Sequence, residues 1–128
     1  MNLSMLAPYL LNQMITGFEL ETAPLPAVEK KMMRLVAHGL SNHIGRSQAI
    51  TGREICGKLV GAGFGKITEP RLRKITNFLR SAKILPVMAM NTGYYVSYEK
   101  ADIEKQIKSL EDRRDAIQCA INGLKQWV

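Results

Sequence analysis

The amino-acid sequence predicts a mainly α-helical chain that contains a small β-hairpin and ends in a long helix. Three observations predict this class. Apolar residues recur every three or four positions over most of the 128 residues. Residues 84–98, in contrast, are rich in strand formers on both sides of one turn. From about Lys100 to the end, the chain again has the spacing of a single long helix.

The N-terminal region divides at a stiff break. Residues 1–25 are predicted to form an apolar arm or short helix, and two prolines, Pro24 and Pro26, favour extended backbone after it. A helix is predicted next, from about Ala27 to His43. Its predicted apolar face consists of Val28, Met32, Leu35, Val36, Leu40 and Ile44, and its polar face of Glu29, Lys30, Lys31 and Arg34.

Two capping signals predict the next two helices. Thr51 to Glu54 have the form of a capping box, in which a hydroxyl caps the amide three residues on and a carboxylate reaches back. The short helix that they open ends at Gly61 to Gly65, where three glycines favour a turn. Thr68 is a second candidate cap, for a helix that runs to about Ala82.

The β-hairpin is predicted from two extended segments, Ile84 to Met90 and Tyr94 to Tyr98, around a turn at Asn91, Thr92 and Gly93. The resulting order of helix, helix, turn, helix and hairpin is that of a winged helix-turn-helix. The predicted organisation is therefore an arm at 1–25, a winged helix-turn-helix domain at 26–99, and a long C-terminal helix at 100–128.

The positive charge of the chain is concentrated in one segment. The net charge is +7, and residues 46–80 hold eight basic residues against two acidic ones. A surplus that served solubility alone would have no reason to concentrate there, so the segment indicates a surface for an acidic partner, nucleic acid above all. The alternative is an ordinary solvated helical face.

The helix predicted to begin after Thr68 divides into two faces. Leu72, Ile75 and Leu79 form a core stripe that Phe78 flanks, whereas Arg73, Lys74, Asn77 and Arg80 fall on the opposite side. A helix that enters the major groove needs this division, because arginine can pair with guanine and asparagine with adenine. Four polar residues opposite a core stripe are also what any surface helix shows.

Five short motifs resemble the winged helix-turn-helix proteins of phages and prophages. They are Thr51 to Ile55, Leu72 to Arg80, Ile84 to Val87, Gly93 to Val96, and Ser109 to Arg113. The resemblance implies DNA binding, with Arg71, Arg73, Lys74, Asn77 and Arg80 at recognition-helix positions. One departure is Lys83, because a glycine usually ends that helix. Another is the glycine-rich turn, which is longer than usual.

The charge distribution, the two-faced helix and the resemblance together predict that double-stranded DNA is the partner. The predicted DNA-binding residues are Arg53, Lys66, Arg71, Arg73, Lys74, Asn77, Arg80, Asn91 and Thr92. The last two belong to the hairpin tip, which contains no lysine or arginine and is expected to contribute little.

The C-terminal helix carries a second prediction, a homodimer. Its seam of alternating 4- and 3-residue spacings consists of Ile103, Ile107, Leu110, Arg114, Ile117, Ile121, Leu124 and Val128. At ~1.5 Å per residue, such a helix is too long to be buried wholly against a domain of about 70 residues. A coiled coil with a second copy would bury it, in either a parallel or an antiparallel arrangement. The alternative is a helix folded back over its own domain or over the arm.

The sequence predicts no enzyme, cofactor, metal site, small-molecule substrate or membrane span. The glycine-rich turn fails the P-loop pattern, because Lys66 is followed by Ile67. His38 and His43 are not on one helical face, and neither Cys56 nor Cys119 has a recognisable base nearby. Two cysteines cannot make a disulfide framework, so the expected compartment is the cytoplasm, that of the host if a phage encodes the protein.

Two functions remain from this reading. The first is a dimeric DNA-binding protein that acts as a transcriptional regulator or replication accessory of a phage or mobile element. The alternative is a winged-helix adaptor that binds a host or phage protein through its N-terminal arm and C-terminal helix.

Overall fold

Four α-helices and one antiparallel hairpin make up residues 26–128, the part of the chain that the computed structural model describes. In order they are α1 (Ala27–Leu40), a 3-10 turn (Arg46–Gln48), α2 (Gly52–Gly61), α3 (Glu69–Ser81), β1 (Val87–Met90), β2 (Gly93–Val96) and α4 (Lys100–Lys125). The predicted class, mainly helical with a small hairpin and a long C-terminal helix, is confirmed. The arm predicted over residues 1–25 lies outside the described residues.

The core is built around α3. Leu72, Ile75 and Leu79 are fully buried, as the two-faced helix predicted, whereas the flanking Phe78 is exposed. Helices α1 and α2 and the hairpin contribute apolar side chains to the same cluster, among them Met32, Val36 and Leu40 of α1, Ile55 and Leu59 of α2, and Val87 and Val96 of the hairpin.

The buried face of α1 agrees with the predicted one at Met32, Val36 and Leu40 and differs from it elsewhere. Val28 and Leu35 are exposed, and the helix ends at Leu40 rather than His43. Glu29, predicted on the polar face, is only 1% exposed. Its position three and seven residues before Met32 and Val36 places it on the stripe that faces α3. The sequence pattern of α1 alone does not show this burial, because the partners of the carboxylate lie on another helix.

The ends of α2 follow the predicted signals. The hydroxyl of Thr51 accepts a hydrogen bond from the backbone N–H of Glu54 (3.1 Å) and donates one to the Glu54 carboxylate (3.0 Å). At the other end, Gly63 adopts a φ of 92°, and Phe64 N–H donates to the carbonyl of Leu59. This is a Schellman ending, which requires the left-handed backbone that glycine adopts without strain.

The start of α3 differs from the prediction, whereas its end agrees with it. Thr68 is the N-cap residue, but its side chain makes no capping hydrogen bond, so the predicted side-chain cap is wrong. At the C-terminus, Lys83 has a φ of 59° and Ile84 N–H donates to the carbonyl of Leu79 at 3.0 Å. A lysine thus occupies the left-handed position where glycine is usual, at a cost of about 1 kcal/mol.

The hairpin is shorter than predicted and has a two-residue turn. Val87 pairs with Val96 and Met90 with Gly93, so that Asn91 and Thr92 form the tip. A third segment pairs with β2, because Ile50 and Tyr94 exchange two backbone hydrogen bonds of 2.8 and 2.7 Å. A Cβ on Gly93 would lie 2.2 Å from the carbonyl oxygen of Ile50, so only glycine fits there.

The long helix α4 packs on the outer side of the hairpin. Gln106 accepts a hydrogen bond from the backbone N–H of Ala89 at 2.8 Å. No residue of α4 is buried, and its C-terminal half is exposed throughout. Within residues 26–128, no helix is both long and apolar enough to cross a membrane.

Candidate nucleic-acid interface

The basic residues of α3 fall into an internal group and an exposed group. Arg71 and Lys74 both contact the carboxylate of Glu29, which α1 buries against this helix. Arg71 Nε donates to Glu29 Oε1, while Lys74 Nζ lies 2.9 Å from Oε2 as an ion pair rather than a directed hydrogen bond. The side chain of Lys74 is 7% exposed and that of Arg71 is 31% exposed.

This ionic cluster changes what α3 can offer to a ligand. The prediction that Lys74 lies on the exposed face is wrong, because α1 covers it. Two cations around one carboxylate leave a net positive charge inside the contact between α1 and α3. Such a buried group holds the two helices in one relative position, since removing either sign leaves the other uncompensated. Lys74 therefore acts within the fold, whereas part of the Arg71 side chain stays exposed.

Arg80 and Asn77 are joined to each other. Arg80 Nη1 donates to Asn77 Oδ1 at 2.9 Å, and Nε donates to the carbonyl of Val87 at 2.8 Å. Burial lowers the pKa of Arg80, an effect that the neighbouring Tyr94 opposes and Arg113 reinforces. Arg80 therefore fastens α3 to β1. The amide oxygen of Asn77 is occupied, and its N–H₂ group is the part left for a base edge.

The remaining predicted residues are more accessible. Arg53 on α2, Lys66 before α3, and Asn91 and Thr92 at the hairpin tip are all exposed. Arg73 is half-buried and interacts with its surroundings within the fold. These residues come from three separate elements, so whether they form one surface depends on how the elements meet.

Gly52 marks the point where those elements meet. A Cβ placed on it would lie 3.5 Å from the ring of Tyr94 on β2 and 3.6 Å from the Glu69 carboxylate on α3. The start of α2, the start of α3 and the start of β2 are therefore in contact. Arg53 follows Gly52 directly, and the hairpin tip immediately precedes Gly93 and Tyr94. Arg53 and Thr92 are thus within two residues of this junction in sequence, and Lys66 is three residues before Glu69.

Tyr94 is a further candidate site residue, outside the predicted DNA-binding set. Burial raises the pKa of its hydroxyl, while the charges of Arg73 and Arg80 lower it and those of Glu69 and Cys56 raise it. The phenol therefore stays protonated and can donate a hydrogen bond. Its nearness to two cations was not readable from the sequence, because these groups lie on different elements.

The described residues give little indication of other chemistry. Within residues 26–128 no group of three or more His, Cys, Asp or Glu side chains could hold a metal ion. Cys56 is half-buried, and burial raises the pKa of its thiol, with a smaller contribution from Glu69. Cys119 is exposed on α4.

Comparisons of the chain with protein-family models, with curated proteins and with solved structures gave no match.

Proposed function

We propose that the protein is a winged helix-turn-helix protein that binds double-stranded DNA as a homodimer and serves a phage or mobile element as a transcriptional regulator or replication accessory. The element order supports this fold, with α2 and α3 as the helix-turn-helix and the hairpin as the wing. The pairing of Ile50 with Tyr94 supports it further, because it ties the segment before α2 to the hairpin.

The junction at Gly52 is the observation that carries the proposal. A Cβ on Gly52, next to Arg53 at the start of α2, would contact Glu69 at the start of α3 and Tyr94, two residues after the hairpin tip. We propose that Arg53, Lys66 and the tip face DNA together. In this arrangement Arg53 and Lys66 contact phosphates, while Arg73 and the free amide group of Asn77 face base edges. Arg71 adds a phosphate contact at the edge. Lys74 and Arg80 set the position of α3 instead of touching DNA.

A salt titration of DNA binding tests the proposal. Fluorescence anisotropy with a labelled random duplex should give an affinity that falls steeply as salt rises, with a log–log slope of about −0.9 for each phosphate neutralised. Arg53→Ala and Lys66→Ala should each make the slope shallower. Lys105→Ala removes one exposed charge from α4 and is the matched control. Binding that does not depend on salt, or no binding at low salt, contradicts the proposal.

The adaptor function is a second candidate that one observation favours. Ile107, Ile117, Ile121 and Leu124 are exposed along α4, and a surface of this kind suits a protein partner. The same titration separates the two functions. An adaptor whose basic surface is incidental has no salt-dependent affinity for duplex DNA, and the three alanine variants then behave alike.

A further inference from the structure

In the part of α4 that extends beyond the hairpin, the residues of the apolar seam are exposed. Ile117 is 48% exposed and Leu124 is 69% exposed. Arg114, in the middle of the seam, lies within 4 Å of Glu111 and Asp115 on its own helix. An apolar stripe of this length on a highly charged helix is typical of a coiled-coil strand that lacks its partner.

The first half of the same seam borders a groove on the domain. Ile103, Ile107 and Leu110 face Leu85, Pro86 and Met88, and the space between them measures 380 Å³. Most of the exposed wall is apolar, although Arg80, Lys83 and Gln106 also line the groove. The groove is continuous with the exposed half of α4, so an occupant that covers the seam also enters the groove.

We propose that the occupant is α4 of a second copy of this chain, packed antiparallel, so that the C-terminal half of each helix fills the groove beside the other domain. This inference rests on the homodimer of the proposed function and adds the direction of the helix pair. In an antiparallel coiled coil, a positions of one helix pack against d positions of the other.

One register covers the complete seam. When Arg114 lies opposite Ile117 of the partner subunit, Ile107 lies opposite Leu124 of the partner subunit. The same register places Leu110 opposite Ile121 of the partner subunit and Ile103 opposite Val128 of the partner subunit. No apolar seam position is left over, and the pairing is self-complementary, as a two-fold interface requires.

Charge favours this arrangement over a parallel one. A parallel pair in register would place Arg114 directly against Arg114 of the partner subunit inside the seam. It would also bring Glu99 near Glu104 of the partner subunit. In the antiparallel register, Arg114 faces an isoleucine, and Glu104 lies beside Lys125 of the partner subunit. Both members of this pair are on the exposed flank of their helix, where opposite charges select orientation.

The antiparallel pair also sets the distance between the two domains. Each domain is attached at the N-terminal end of its α4, so the two stand at opposite ends of the helix pair, about 30–40 Å apart at ~1.5 Å per residue. One turn of B-DNA spans about 34–36 Å. A parallel pair would place both domains side by side at one end.

Disulfide trapping tests the direction of the pair in the full-length chain. Ile107→Cys and Leu124→Cys are prepared separately, each with Cys56→Ala and Cys119→Ser, and then mixed in a glutathione buffer. The antiparallel pair is expected to give the disulfide between the two different variants and little of either homodimer. Homodimeric disulfides from each variant alone, without the mixed product, would establish a parallel pair and overturn the proposal. So would a chain that stays monomeric by light scattering at micromolar concentration.

A charge exchange gives an independent test that does not disturb the seam. Glu104→Lys and Lys125→Glu should each weaken dimerisation about two- to fivefold, and the double variant should restore it. In a parallel pair these residues are about 30 Å apart, and the double variant would recover nothing. Neither test involves DNA. Failure of the antiparallel dimer can therefore be distinguished from failure of DNA binding, because the two are measured separately.

Discussion

The Lys74 ammonium and the Glu29 carboxylate form an ion pair inside the protein, with Nζ 2.9 Å from Oε2. Arg71 shares the same carboxylate from one turn earlier on α3. The pair joins the first helix of the domain to the helix proposed to enter the major groove. Each member lies in a stretch of sequence whose pattern predicts a polar helical face for it.

Glu29→Gln is expected to lower the free energy of unfolding by about 3–5 kcal/mol, because it leaves the Lys74 charge buried without a counter-ion. Urea denaturation followed by circular dichroism measures the change. Glu104→Gln, on the exposed surface of α4, is the control and should shift the midpoint by less than about 0.5 kcal/mol. Equal effects of the two substitutions would contradict a structural role for the buried pair.

Lys74→Met separates the structural role of this lysine from a phosphate contact. It should reduce stability but leave the salt slope of DNA binding unchanged at a temperature where the variant is folded. Lys66→Ala should reduce that slope by about 0.9, since it removes one phosphate contact. A matching loss of slope in Lys74→Met would show that the lysine reaches DNA after all.

Gly93→Ala should destabilise the protein severely, by more than about 3 kcal/mol, because the new Cβ would meet the backbone of Ile50 and Thr51. Thermal unfolding is the measurement. Gly123→Ala offers the matched control: a Cβ there meets nothing within 4 Å, and alanine favours the helix by about 0.5–1 kcal/mol. The two substitutions should therefore move Tm in opposite directions.

Lys83→Gly is expected to stabilise the protein by about 0.5–1 kcal/mol, because it relieves the left-handed backbone at the end of α3. Lys83→Ala removes the same charge but keeps the strained conformation. It should leave the unfolding midpoint near that of the unmodified chain. If alanine stabilises as much as glycine, the charge is responsible and the backbone argument fails.

The two thiols should react at different rates. The folded state raises the pKa of Cys56, so the thiolate fraction there is smaller than that of an unperturbed thiol at any pH below the shifted value. Iodoacetamide at pH 8, followed by mass spectrometry, should modify the exposed Cys119 first. The rate at Cys56 should keep rising to higher pH. Faster modification of Cys56 would contradict the burial described here.

The sequence predicted those parts of the fold that depend on local patterns. Leu72, Ile75 and Leu79 repeat at helical spacing and are buried, and the Thr51 cap needs only its own next three residues. Glu29 and Lys74 were wrongly predicted to lie on polar faces, because they become an internal pair only when two distant helices pack. Gly52 and Gly93 have roles set by close approaches to other elements, which no single segment reveals.

The pairing of Ile50 with Tyr94 has a consequence for how the chain folds. The hairpin closes through a two-residue turn and can form within microseconds as a local event. The bridge to Ile50 forms only after the chain between Ile50 and Tyr94, which includes α2 and α3, has been brought together at an entropic cost. The backbone hydrogen bonds between Ile50 and the hairpin therefore form late and depend on the helical core being in place.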